Sequence, residues 1–120
     1  MTSPRLRLRI AFDAVVFGPG KAELLGHIRD TGSISAAGRA MGMSYKRAWS
    51  LVEEMNAAFR APLVASARGG AGGGGAHLTE AGEAALAHYT AILRAAREGA
   101  ATELAALEAM VIESDTSGGN

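Results

Sequence analysis

Residues 33–59 read SISAAGRAMGMSYKRAWSLVEEMNAAF, and this stretch decides the fold. Ser33 is a good helix N-cap, with a hydroxyl able to accept one of the backbone donors a helix start leaves open. Behind it Ile34, Ala37, Ala40 and Met41 make a narrow apolar stripe that Gly42 stops after barely two turns. Ser44 is a second N-cap. Ala48, Val52, Met55 and Phe59 then recur at helical spacing, with Trp49 flanking them. The spacing predicts a helix over 44–60, closed by Pro62, which disfavours helical backbone just before it. Two helices joined by a short glycine-containing turn form a helix-turn-helix. Gly42 supplies the left-handed residue that turn wants. Gly38 is small where the helices cross, and Met41 and Met43 flank the crevice.

Working outward, GKAELLGHIRDTG sets Leu24, Leu25 and Ile28 on one side of a helix over 20–31, stopped at Gly32. Ahead of it RLRLRI alternates strictly, which predicts a strand with one wet and one buried face, ended by Gly18-Pro19-Gly20. Downstream, PLVASA and AHLT read as two strands of a hairpin around RGGAGGGGAHLT, a stretch holding six of the chain's 16 glycines. From Thr79 to Val111 apolar residues step by three or four. They predict one amphipathic helix of about 30 residues, or two broken near Gly99. This stripe either folds back on its own domain or pairs with a twin; because it is longer than the body needs, Leu86, Tyr89, Leu93, Ala96, Leu104 and Leu107 are expected to form an antiparallel or crossed helix pair between protomers. The fold expected is mainly α with a small β component: a winged helix-turn-helix with a long C-terminal dimerisation helix. Residues 1–79 would be the DNA-binding domain, 80–111 the dimerisation helix and 112–120 a disordered tail.

Composition narrows the chemistry. With no cysteine there is no disulfide, thiolate zinc site or cysteine nucleophile. His27, His77 and His88 are scattered without ligand spacing, so no metal is expected, and nothing calls for a cofactor. No serine sits in a nucleophile elbow. The glycine run lacks the lysine and hydroxyl of a phosphate-binding loop and lies between two strands, so nucleotide hydrolysis is not expected. An enzyme is therefore not anticipated. No run approaches the roughly 20 apolar residues of a membrane span. The N-terminus lacks a signal peptide's apolar core, making a cytoplasmic protein the expectation. Net charge is zero, but residues 1–79 carry ten Lys/Arg against five Asp/Glu, and residues 80–120 two against seven. A basic body with an acidic end suggests an anionic partner for the body.

A major groove admits one helix, and base edges meet the residues near that helix's N-terminus. Ser44, Tyr45, Lys46, Arg47 and Ser50 point outward there, and Lys46 and Arg47 suit guanine edges or phosphates. Ser33 and Arg39 on the preceding helix stand where a backbone contact is expected. A glycine tip lets backbone amides approach phosphates without side chains in the way, so Arg68, Gly69, Gly70, Gly72 and Gly73 are candidate wing contacts.

The pair of segments GSISAAGRAMGMSYKRAWSLVEEMN and LVASARGGAGGGGAHLTEAGEAAL resembles the N-terminal DNA-binding domain of the ModE family, bacterial molybdate-responsive transcription regulators, and is related to the LysR-type winged helix-turn-helix. The specific parts are SYKRAW, the EEMN after it, and the glycine-rich wing leading into LTEAG. The resemblance runs from about Arg5 to Ala109. It implies a homodimer on a palindromic operator in double-stranded DNA. Ser44, Tyr45, Lys46 and Arg47 would lie at the duplex, the Arg68–Gly75 wing on the backbone, and Trp49 behind the reading helix. Family members sense molybdate through C-terminal oxyanion-binding domains, for which these 120 residues have no room. The effector therefore does not carry over: a separate sensor protein supplies the sensing, or the chain regulates without molybdate, or it is a fragment. A protein-interaction adaptor and a stand-alone oxyanion-responsive regulator remain the alternative readings.

Overall fold

Three hydroxyl caps organise the chain. In the computed structural model, which describes residues 5–67 and 75–112, the Ser33 hydroxyl accepts the Ala36 N–H, Ser44 the Arg47 N–H and Thr79 the Gly82 N–H, each at 3.0 Å. Each satisfies a donor that a helix start otherwise leaves unpaired. In chain order the elements are β1 (Ile10–Ala11), β2 (Val16–Phe17), α1 (Pro19–Thr31), α2 (Ile34–Ala40), α3 (Tyr45–Ala58), β3 (Val64–Ser66), β4 (Ala76–Leu78), α4 (Glu80–Gly99) and α5 (Ala101–Ala109). This is a winged helix-turn-helix with a long helical arm, mainly α with two small antiparallel sheets.

The turn between α2 and α3 is built as its residues dictate. Gly42 has φ +70°, a left-handed conformation that costs glycine little. The Gly38 carbonyl accepts the N–H groups of both Met41 and Met43 at 3.0 Å. The helices touch at Gly38, where an added Cβ would lie 2.9 Å from the Ala48 methyl. The core beneath draws on α1 (Leu24, Leu25, Ile28), α3 (Val52, Met55) and Leu63, all essentially removed from water. Each such side chain contributes roughly 1.5–3 kcal/mol of transfer free energy.

The hairpin is antiparallel, with Val64 opposite Leu78 and Ser66 opposite Ala76. It is strapped to the helix-turn-helix through the turn after α1, because the Ala76 N–H donates to the Gly32 carbonyl at 2.9 Å.

The N-terminal strand is shorter than its alternation predicts. Arg5, Arg7 and Arg9 are exposed and Leu6 and Leu8 half-buried, but among the described residues only Ile10–Ala11 joins a ladder, with Val16–Phe17. The segment is held by a side chain instead: the Tyr89 hydroxyl donates to the Leu8 carbonyl at 2.6 Å. Tyr89 is 4% exposed and stands edge-on to Phe17 at 5.3 Å, so it belongs to its own chain's core. Burial pushes its phenol above the ordinary value, against the opposing pull of the Arg7 charge. The long helix divides at Gly99–Ala100. Ala81, Ala85, Leu86, Tyr89 and Leu93 pack on the body, and α5 buries nothing. The radius of gyration, 17.8 Å, exceeds the roughly 14 Å of a compact chain this long, as a projecting arm requires.

Candidate nucleic-acid interface

The first turns of α3 are open to solvent. Tyr45, Lys46, Arg47 and Ser50 are all exposed, Tyr45 by 59%. They share that surface because the apolar positions Ala48, Leu51, Val52 and Met55 face inward and hold the helix against α1 and α2. Ser44 spends a lone pair on its cap and keeps its hydroxyl proton for a partner. Tyr45 packs edge-on against Trp49, centroids 6.2 Å apart, which steadies its ring at the surface. Trp49 is half-buried against the core.

Among the described residues the ion pairs are Lys21–Glu54 and Arg29–Asp30, and there Lys46, Arg47 and Arg39 have no ion-pair partner. Arg39 donates to the Ser35 hydroxyl at 2.9 Å and is otherwise in water. Ser33 is half-buried. With Ile34, Ser35, Tyr45, Trp49, Ser66, Ala67, Gly75 and Ala76 it lines an open cleft of about 360 Å³ between the helix-turn-helix and the hairpin. A tyrosine, a tryptophan and the hydroxyls of Ser33, Ser35 and Ser66 therefore border one concavity, and Lys46 and Arg47 follow Tyr45 in the chain. Hydroxyls and amides are the usual partners of phosphate oxygens, and guanidinium and ammonium groups serve both phosphate and guanine.

The hairpin's base is ordered by the Ala67 N–H donating to the Gly75 carbonyl at 2.8 Å. Arg68, Gly69, Gly70, Gly72 and Gly73, the expected tip contacts, lie outside the described residues. On the arm, Leu86 and Leu93 are partly covered by the body and Tyr89 is wholly so. Ala96 and Leu104 are half-exposed, and Leu107 is 61% exposed.

One residue of consequence escaped the pattern reading. The Asn56 side chain on α3 accepts the N–H groups of Leu63 and Val64 at 2.8 and 3.1 Å and donates to the Val64 carbonyl at 3.0 Å. It clamps the first hairpin strand to α3. Asn56→Ala is expected to destabilise the chain by about 2–4 kcal/mol, because three hydrogen bonds go and two backbone donors lose their partner. Thermal or urea unfolding measures this. A loss below about 0.5 kcal/mol contradicts the clamp.

The family model of bacterial regulatory helix-turn-helix proteins of the lysR type matches residues 21–83. Among curated proteins, the molybdenum-pterin-binding protein MopB of Rhodobacter capsulatus is 53% identical over 75 residues, 62% of this chain and 28% of that protein. The transcriptional regulator ModE of Yersinia pestis is 46% identical over 71 residues, 59% of this chain and 27% of that protein. The DNA-binding transcriptional dual regulator ModE of Escherichia coli K12 is 45% identical over 71 residues, with the same coverage of each chain. The chain thus spans little more than a quarter of the length of the relatives it matches.

Proposed function

From the premise that this chain belongs to the bacterial regulatory helix-turn-helix proteins of the lysR family, we propose that it binds double-stranded DNA as a homodimeric transcription regulator. In this reading α3 enters the major groove, led by Ser44, Tyr45, Lys46, Arg47 and Ser50. Ser33 and Arg39 meet the adjacent backbone, and the glycine-rich tip with Arg68 follows the sugar-phosphate beside it. Residues 1–79 form the DNA-binding unit and 80–111 the dimerisation arm. The observation that carries the reading is the exposed Lys46–Arg47 pair in the first turn of α3, without an ion-pair partner among the described residues and next to Tyr45, which lines the open cleft between the helix-turn-helix and the hairpin. The similarity to two ModE regulators supports it.

The family's description as regulatory proteins supports a regulatory role for this chain. Among the described residues no helix is long and apolar enough to cross a membrane, and no three acidic or histidine side chains gather as for a metal.

Two-fold symmetry in the protein imposes two-fold symmetry on its site. A selection from random duplex oligonucleotides should therefore return an inverted repeat with half-sites about one helical turn, 10–10.5 base pairs, apart or a multiple of it. Enrichment of an asymmetric single half-site would remove the dimeric part of the reading. Failure to enrich any sequence, with no duplex binding at low salt, would remove DNA and favour a protein-binding adaptor.

A further inference from the structure

The arm has a spacing that reads the same from both ends. Starting at Leu86, its seam positions step four, three, four, three, four, three and four residues to Val111. Steps of this kind form the seam of paired helices, here apolar except at Thr90 and Arg97. The sequence is also palindromic in position. Set two copies antiparallel about a point between Glu98 and Gly99, and Leu86 falls opposite Val111, Thr90 opposite Leu107, Leu93 opposite Leu104, and Arg97 opposite Ala100. That centre coincides with the bend at Gly99–Ala100. The Ala100 N–H bonds the Ala96 carbonyl, closing α4, and the Leu104 N–H bonds the Ala100 carbonyl, opening α5, so the two helices meet end to end at the bend.

The surface that would receive the second arm is already shaped. Leu86 and Thr90 line two adjoining grooves on either side of the α1–α4 contact. One, of about 390 Å³, also contains Glu83, Ala87 and Ala91 and is bordered by Arg29 and Arg94. In the antiparallel setting Glu108 of the second copy flanks the seam on this side, level with residue 89. Helical side chains lean toward their own N-terminus, so Arg94 and the incoming Glu108 lean toward each other. Within the chain α5 carries Glu103 and Glu108 and no basic residue, and among the described residues neither glutamate nor Arg94 has an ion-pair partner. α5 buries no residue of its own, although its Leu107, the Met110 at its C-cap and the Val111 just beyond are strongly apolar and 61, 79 and 63% exposed.

We infer that α5 of a second copy lies along the Leu86–Thr90–Leu93 ridge in this register, with its Glu108 placed in the groove between Arg29 and Arg94. The inference rests on the homodimer proposed above and gives it a register and an electrostatic lock. Each protomer contributes one lock, so every charge change counts twice.

The test uses the full chain and sedimentation equilibrium. Arg94→Glu and Glu108→Arg are each expected to raise the dimer dissociation constant about ten- to thirtyfold, and Arg94→Glu/Glu108→Arg in one chain to restore most of it. Because the chain has no cysteine, register is read independently by Thr90→Cys/Leu107→Cys, which should oxidise to a covalent dimer. The two sites lie roughly 25 Å apart along one arm, too far to bridge within a chain. Thr90→Cys alone should not cross-link. A wild-type dimer that is indifferent to both single charge reversals, or that leaves the cysteine pair unbridged, overturns the register and leaves the dimer standing. A wild-type chain that stays monomeric at every concentration overturns both.

Discussion

Replacing Lys46 and Arg47 together with alanine should lower affinity for the selected duplex by about three orders of magnitude while leaving the melting temperature within a degree or two. Contacts of this kind are worth roughly 1–3 kcal/mol each, and a two-copy complex loses four, so even the lower figure totals about 4 kcal/mol. The fold should survive because both side chains are exposed and carry no ion pair among the described residues. The Ser44 cap bonds the backbone N–H of Arg47, which alanine retains. Alanine is also the best helix former, so α3 is not weakened. The single variants separate two chemistries. Loss of a phosphate contact weakens all sequences alike and flattens the dependence of affinity on salt; loss of a base contact leaves the salt slope and relaxes one position of the site. Gel-shift titrations at several salt concentrations decide between them. Binding within twofold of wild type for the double variant would take α3 off the DNA.

That surface was legible in the sequence because the signals for it are local. Ser33, Ser44 and Thr79 cap helices through hydroxyls three residues from the donors they satisfy, and Gly32 and Gly42 adopt the left-handed backbone their positions require. Helical periodicity then fixes which side of α3 is wet. Pairings between distant segments were harder to see. The alternation in residues 5–10 reports which face is covered but not what it meets, and at Leu8 the partner is Tyr89 of α4, 81 residues on. Tyr89 falls on the stripe of the long helix at the right spacing for a twin, yet it is satisfied by Phe17 and the Leu8 carbonyl. Periodicity marks an apolar face without saying whether the same chain or a second one fills it. Asn56 stood in the EEMN of the family resemblance, but its clamping role left no signal, since its three partners are backbone groups seven and eight residues on, and backbone groups carry no sequence identity.

Gly82→Ala should have the largest effect on stability, and in the direction opposite to helix propensity. Gly82 lies in the first turn of α4, where exchanging glycine for alanine ordinarily gains up to about 1 kcal/mol. Here a Cβ would run into the Leu63 carbonyl, with the Leu78 Cβ 3.3 Å away on its other flank. Neither obstacle is free to retreat. The Leu63 carbonyl accepts the Thr79 N–H at 3.0 Å, and the Leu63 N–H is held by Asn56. The Leu63 side chain is 1% exposed, and the Thr79 hydroxyl, which caps α4, also donates to the Pro62 carbonyl at 2.6 Å. Relief would mean pulling α4 off the hairpin, which breaks the cap and lifts Tyr89 from the core. Overpacking against a fixed backbone costs about 3 kcal/mol or more, a large part of the 5–15 kcal/mol that holds a small domain together. Thermal unfolding should show a fall of roughly 10 °C or greater. Gly20→Ala is the matching control: it too sits in the first turn of a helix, but nothing lies within 4 Å of its added Cβ, and its melting point should hold or rise slightly. If Gly82→Ala melts at or above wild type, the hairpin and α4 are not in the contact described, and the arm is not anchored at the wing root.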